Sequence, residues 1–200
     1  MRRWLLGLGL CCAACGSTPT APIGDRAPFD FSFDDPAGDT LAVLPLPPDA
    51  GPAVDLVKVS GHVASDVITL NLDFAQPIAF WSAHAPNSLD GFADFDLDQN
   101  QSTGITDAAQ EAGGSFDLGV EFYLDLRDNG HGQIALVDAT KKTFVPVPAT
   151  IAGTRLVVTI DRTQFGTNDG QFNLGVLIGD RDRTVTDFGP DTGHYTVVHP

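Results

Sequence analysis

From Phe29 onward the chain consists of short runs in which apolar residues recur at every second position. Phe29, Phe31 and Phe33 alternate with Asp30 and Ser32. Ile68, Leu70, Leu72 and Phe74 alternate with Thr69, Asn71 and Asp73. Val120, Phe122, Leu124 and Leu126 alternate with Glu121, Tyr123 and Asp125. Val57, Val59 and Val63 share one parity, and Leu156, Val158 and Ile160, then Phe172, Leu174, Val176 and Ile178, repeat the pattern. A period of two turns one face of a strand to a core and the other to water, which is the pattern of antiparallel sheet. Turn residues separate the runs. Asp128-Asn129-Gly130 is a hairpin signal, because Asn and Gly tolerate positive φ, and Thr140-Lys141-Lys142-Thr143 and Asp169-Gly170 read as further turns. Many short strands at this spacing predict an all-β, antiparallel fold, a β-sandwich or barrel, over residues 29–200. Helix is expected in two places only: about Ala108–Ala112, with Asp107 as N-cap and Gln110 three residues on, and about Arg162–Phe165.

Composition narrows the choice further. Of 26 acidic residues only Glu111 and Glu121 are glutamates, and only three of 11 bases are lysines. Good helix formers are scarce while Asp, Gly (21) and Pro (14) abound, which argues against a helical bundle or coiled coil. A formal charge of −15 argues against nucleic-acid binding, which needs Lys and Arg to displace counterions from phosphates. A hydrophobic content of 42% is too high for wholesale disorder.

The first residues are expected to stand outside the fold. Met1-Arg2-Arg3 is basic and Trp4 to Leu10 is apolar but too short to span a bilayer, where about 20 residues are needed. Cys12-Ala13-Ala14-Cys15-Gly16 follows. This segment reads as a secretory signal, and residues 1–14 are expected to be removed. It resembles the signal of bacterial lipoproteins, whose lipobox ends in two small residues and a cysteine, here Ala13, Ala14 and the acceptor Cys15. Position −3 is Cys12 where that family usually has Leu. The alternative is an ordinary signal peptide with incidental cysteines. All three cysteines lie within the first 15 residues, so a mature chain starting at Cys15 has no disulfide although it is exported. Residues 15–28 are small, polar and Pro-rich and read as a tether from lipid to domain. The resemblance implies membrane attachment through lipid on Cys15, a cell-envelope location and, with Gly16 after the cysteine, the outer membrane where the host has one.

The densest polar stretch is Asp94-Phe95-Asp96-Leu97-Asp98-Gln99-Asn100, continuing through Ser102 to Asp107. On a strand Asp94, Asp96 and Asp98 share one face, with Phe95 and Leu97 on the other. Like charges about 4 Å apart cost about 4 kcal/mol per pair at an effective dielectric of about 20, and a hard cation with oxygen ligands relieves that cost. Asp96, Asp98 and Asn100 fall at positions 1, 3 and 5 of an EF-hand-type loop, Ser102 at position 7 and Asp107 at position 12. Gln101 replaces the usual Gly and Asp107 the usual Glu, and the entering segment reads as a strand. An EF-like calcium loop attached to a β-strand is therefore expected, with Asp94, Asp96, Asp98, Asn100, Ser102 and Asp107 as candidate ligands. The competing reading is an acidic turn in which Asp and Asn cap backbone groups. Asp34 to Asp39 reads as a Pro-Gly turn with capping aspartates, or as a second oxygen-rich loop. Asp187 and Asp191 read as turn residues, and Asp180-Arg181-Asp182-Arg183 as an ion-pair network.

Catalytic signatures are missing. The five histidines form no H-E-x-x-H or H-x-H pattern, and there is no G-x-S-x-G elbow, P-loop or G-x-G-x-x-G. A carboxylate pair for glycoside hydrolysis is defined by a separation in space, not by spacing in sequence.

Gly119-Val120-Glu121-Phe122-Tyr123-Leu124-Asp125 resembles the central strand of secreted bacterial β-sandwich modules of the family 9 carbohydrate-binding and DOMON type. Leu156 to Ile160, the turn at Phe165-Gly166, and Phe172 to Val176 are similar to their late strand, turn and strand. The resemblance implies a jelly-roll-like sandwich, a structural calcium and sugar binding. Exposed aromatics serve as sugar platforms in such modules, and here Trp81 and Tyr123 are the candidates. The sequence thus predicts a non-catalytic, calcium-stabilised, lipid-anchored module that binds carbohydrate or another surface ligand. The alternatives are an envelope accessory lipoprotein that binds a protein partner, and a glycan hydrolase.

Overall fold

The computed structural model describes residues 27–41, 53–82, 85, 87–127, 133–166, 168–179 and 184–200. Thirteen strands are present among them: β1 (Phe29–Asp34), β2 (Leu56–Val63), β3 (Val67–Phe74), β4 (Asp90–Asp96), β5 (Ile105–Thr106), β6 (Gly119–Val120), β7 (Phe122–Asp125), β8 (Gln133–Asp138), β9 (Thr143–Ala152), β10 (Arg155–Asp161), β11 (Phe172–Gly179), β12 (Val185–Gly189) and β13 (Tyr195–Val197). The expected all-β class holds. The main sheet is antiparallel and runs β1-β2-β3-β10-β9-β8-β7-β4-β11-β12, with β13 also paired to β11. Two short 3-10 helices, Ala108–Ala112 and Arg162–Phe165, stand where the sequence placed helix, and Asp107 Oδ1 accepts from Gln110 N at the first of them. No helix among the described residues is long and apolar enough to cross a membrane. The signal segment, Cys15, most of the tether, the Asp128-Asn129-Gly130 turn and Asp180–Arg183 lie outside the described residues.

The sheet curls because one strand serves two layers. Residues 143–148 of β9 pair with β8, and residues 149–152 pair with β10. Each half of β9 thus has a single neighbour, and Pro146 and Pro148 sit in the first half, where a missing N–H breaks no second ladder. The alternating residues then meet across the interior in the arrangement of a sandwich. Leu70, Leu72, Leu124, Leu136, Leu156, Val158, Leu174 and Val176 are all within 1% of complete burial. The Phe95 and Phe172 rings lie 5.4 Å apart, and Phe165 lies 5.2 Å from both Phe95 and Phe122. Side-chain parity follows the sequence in β1, β3 and β10. It fails at the start of β2, where a register shift between Leu56 and Lys58 buries Leu56 and leaves Val57 half-buried. Such a bulge moves all later residues to the opposite face.

Two departures from simple alternation position the polar sites. Every residue of β11 is buried, although period two predicts one wet face. The chain between β4 and β7 leaves the sheet, forms β5, the first 3-10 helix and β6, and folds over the outer face of β4, β11 and β12. There Ala109, Phe116, Leu118 and Val120 pack on Leu177 and Phe188. Gly175 is what permits this approach, since a Cβ on it would overlap the Phe116 ring. The second departure is at the sheet ends. The segments after β1 and before β2 run against β12 and β13. Leu41 N donates to Thr186 O at 2.9 Å, Thr186 Oγ1 to Val54 O at 2.8 Å, and Leu56 N to Asp187 Oδ2 at 2.7 Å. This seam joins the first and last parts of the chain.

Candidate functional site

The acidic stretch begins on β4. Ala93 and Phe95 enter the main core, so Asp94 and Asp96 fall on the outer face, where the β4–β7 excursion covers them; both are buried. Antiparallel pairing of β4 with β7 sets Phe95 opposite Phe122, and Glu121 N donates to Phe95 O at 3.0 Å. That register carries the Glu121 side chain to the end of β4. Carboxylate oxygens of Asp96, Asp98 and Glu121 lie within 4.8 Å of one another.

The loop 97–104 closes around these three groups. Asn100 N donates to Asp96 Oδ1 and Asp98 Oδ1, each at 3.0 Å, and Ser102 N donates to Asn100 Oδ1 at 3.1 Å. Leu97 N donates to Glu121 Oε2 at 2.8 Å. The loop backbone rests on Gly119, where a Cβ would overlap the carbonyl oxygens of Asn100 and Thr103. The Thr103 hydroxyl oxygen lies 2.9 and 3.0 Å from the two Asp98 oxygens, 2.8 Å from Asn100 O and 3.0 Å from Glu121 Oε1. A hydroxyl has one hydrogen, so most of these oxygen–oxygen contacts hold no proton between them. Burial pushes the Glu121 carboxyl above the ordinary range. The hydrogen bonds from Leu97 N and Thr103 oppose that shift, and the charges of Asp98 and Asp96 add to it.

The six sequence-predicted ligands divide into two places. Asp96, Asp98 and Asn100 belong to this oxygen cluster, while Ser102 contributes its backbone N–H to Asn100. Asp94 and Asp107 stand apart beneath the first 3-10 helix. Asp94 Oδ2 accepts from Ala108 N at 2.6 Å, and Asp107 accepts from Gln110 N and, at 3.4 Å, from Leu118 N. They cap backbone groups, as the competing reading had it. Burial pushes the Asp94 carboxyl up to about 7, against the Ala108 hydrogen bond and with help from the Asp107 charge. Thr103 was not among the predicted ligands, and Glu121 entered only as a polar-face residue within reach of a metal or ligand. Glu121 had a signal, being a polar-face glutamate in a chain with two; Thr103 had none.

Beside this loop are two adjoining cavities that share Phe92, Ala108 and Glu111. One, of about 200 Å³, is lined also by Asp94, Asp107, Val120 and Tyr123. The other, of about 400 Å³, is lined also by Asp90, Arg127 and Leu177. Tyr123 meets Phe92 edge to face, with ring centroids 5.7 Å apart. Arg127 is held by Asp125 through bonds of 2.9 and 2.6 Å and lies 3.6 Å from Asp90. Trp81 does not line either cavity. It is half-buried in the segment between β3 and β4, next to Phe80, which packs on the main core. His194 lies with Nδ1 2.9 Å from the Phe116 carbonyl.

The chain matches no protein-family model, no curated protein and no solved structure.

Proposed function

We propose that the protein is an exported, lipid-anchored, calcium-stabilised binding module that holds a small hydroxylated ligand, of carbohydrate type, in the cleft beside Tyr123. One observation carries the calcium assignment: four oxygen atoms of Asp98, Asn100 and Glu121 crowd one hydroxyl at Thr103, beside a buried Asp96. Calcium takes six to eight oxygen ligands at about 2.3–2.6 Å in flexible geometry, and such a donor set fits Asp96, Asp98, Glu121, the Asn100 carbonyl and Thr103 Oγ1. Millimolar affinity suffices outside the cytosol. Calcium here acts on structure. It neutralises the end of β4, fixes the loop on Gly119, and so fixes the excursion that forms one wall of the cleft.

The cleft offers what sugar recognition uses: aromatic surface from Tyr123 and Phe92, with carboxylate and guanidinium groups at the rim. A glycan array probed with calcium-loaded protein tests this reading. Binding that Tyr123→Ala removes supports it, and absence of binding to any glycan rejects it. Attachment through Cys15 is tested by metabolic labelling with palmitate, which Cys15→Ser abolishes.

A hydrolase is the second reading, favoured by one observation: the buried Asp94 carboxyl, pushed up to about 7, lines a cavity, and such groups serve as general acids. Release of reducing ends from a bound glycan, lost in Asp94→Asn, would favour it over a binding module.

A further inference from the structure

The seam between the two ends of the sheet contains a second carboxylate cluster. Asp35 follows β1, Asp39 lies four residues on, Asp55 precedes β2, Asp187 is on β12 and Asp191 follows it. Oxygens of Asp35, Asp39 and Asp187 lie within 4.8 Å of one another. Asp35 and Asp55 are each only 7% exposed and Asp187 1%.

Part of the cluster is satisfied. Asp187 accepts from Leu56 N and Phe188 N, Asp35 Oδ1 from the Tyr195 hydroxyl at 2.8 Å, and Asp55 Oδ2 from Gly38 N at 2.9 Å. The rest is not. Among the described residues, Asp35 Oδ2, Asp55 Oδ1 and both oxygens of Asp39 are buried with no hydrogen-bond donor other than the Asp191 carboxyl, which lies against Asp39. Buried polar atoms normally have a partner, so each such orphan needs an explanation. Among the described residues the ion pairs of Lys58, Arg127, Lys141 and Arg155, and the His62 contact with Asp30, all go elsewhere.

We propose that this seam is a calcium site distinct from the 96–103 loop, with Asp35, Asp39 and Asp187 as ligands. Two ligand oxygens on opposite sides of a calcium ion are separated by at most about twice 2.4 Å, and the observed cluster falls inside that limit. Magnesium demands six ligands at shorter distances in strict octahedral geometry, which a set drawn from two separate chain segments meets poorly. The charges of Asp55 and Asp191 also act on Asp35, and a cation here relieves that repulsion. Tyr195, stacked on Phe33 at 4.7 Å, orients Asp35. Calcium bound here ties the segment after β1 to β12 and thereby clamps the first and last strands together.

The test is a calcium titration of chelator-stripped full chain in detergent, read by calorimetry. Wild type is expected to bind two ions per chain. Asp39→Asn, which keeps one of the two side-chain oxygens and removes the charge, is expected to bind one, or to bind the second at least tenfold more weakly. Glu121→Gln is expected to lose the other ion and keep the seam. Terbium provides a local readout: the luminescence excited through tyrosine that Tyr195→Phe removes from wild type is expected to be missing in Asp39→Asn and present in Glu121→Gln. Circular dichroism confirms that each variant is folded, and Asp191→Asn serves in place of Asp39→Asn if that variant is not. Two-ion binding by Asp39→Asn with wild-type affinity would overturn the proposal, as would one-ion binding by wild type that only Glu121→Gln abolishes. That last result leaves the loop site standing and removes the seam alone.

Discussion

Replacing Glu121 with Gln changes one charge and keeps the oxygen that accepts from Leu97 N. Carboxylate oxygens of Asp96, Asp98 and Glu121 are mutually within 4.8 Å. At that separation and an effective dielectric of about 20, each pair repels by about 3.5 kcal/mol before screening. Glu121 enters two of the three pairs. Asp98 is exposed and Glu121 half-buried, so solvent and salt reduce this severalfold, leaving about 1 kcal/mol. In chelator the variant is therefore expected to melt about 2–4 °C above wild type. In calcium the order reverses. Ligand at 100 times its dissociation constant stabilises the wild type by about 2.7 kcal/mol, equivalent to about 5–11 °C, and most of this is lost in the variant. Differential scanning calorimetry with and without chelator reads both signs. If Glu121 is only an acceptor for Leu97 and Thr103, the variant melts at or below wild type in both conditions. That outcome, or a wild-type curve indifferent to calcium, refutes the reasoning.

Other expectations are more local. In Gly175→Ala the new Cβ would overlap the Phe116 ring. Overpacking of this kind costs about 1–3 kcal/mol, and urea denaturation should show the loss. Asp138 anchors the turn after β8 by accepting from Thr140 N and Lys141 N and pairing with Lys141 Nζ at 2.7 Å. Burial opposes ionisation there, but the Lys141 and Thr140 donors outweigh it and hold the carboxyl down to about 2. Because the folded value lies below the unfolded value of about 3.9, this contribution is fully present above pH 4 and is lost as the pH falls toward 2. Asp138→Ala should cost about 1–2 kcal/mol at pH 7, with the difference from wild type shrinking in acid melts. Tyr123→Ala should reduce ligand affinity at least tenfold in a calcium-loaded binding assay while calcium stoichiometry stays unchanged.

The strands were legible because their signal is local: Phe29 to Phe33 or Leu156 to Ile160 need no partner to declare a period of two. Both 3-10 helices were legible for the same reason, since Asp107 and Asp161 cap within three residues of themselves. β11 misled because its second face is covered by Phe116 and Leu177's other neighbours from a distant excursion. The candidate metal loop was half legible. Asp96, Asp98 and Asn100 share one turn, and their spacing places them together. Glu121 reaches them only through the register of β4 on β7, which no spacing encodes. Asp107 fitted the twelfth position of the loop by count, yet the chain turns into the 3-10 helix there and spends both oxygens on backbone donors. The seam was illegible as a group, since Asp35, Asp55 and Asp187 come from segments that meet only when the sheet curls.

The most direct test of the central claim is a crystal structure of the calcium-soaked protein with anomalous data. A peak is expected within about 2.3–2.6 Å of Asp96, Asp98 and Glu121 oxygens, with Thr103 Oγ1 turned toward it. A map without a peak there, in which the Thr103 hydroxyl still occupies the centre of those oxygens, would contradict it.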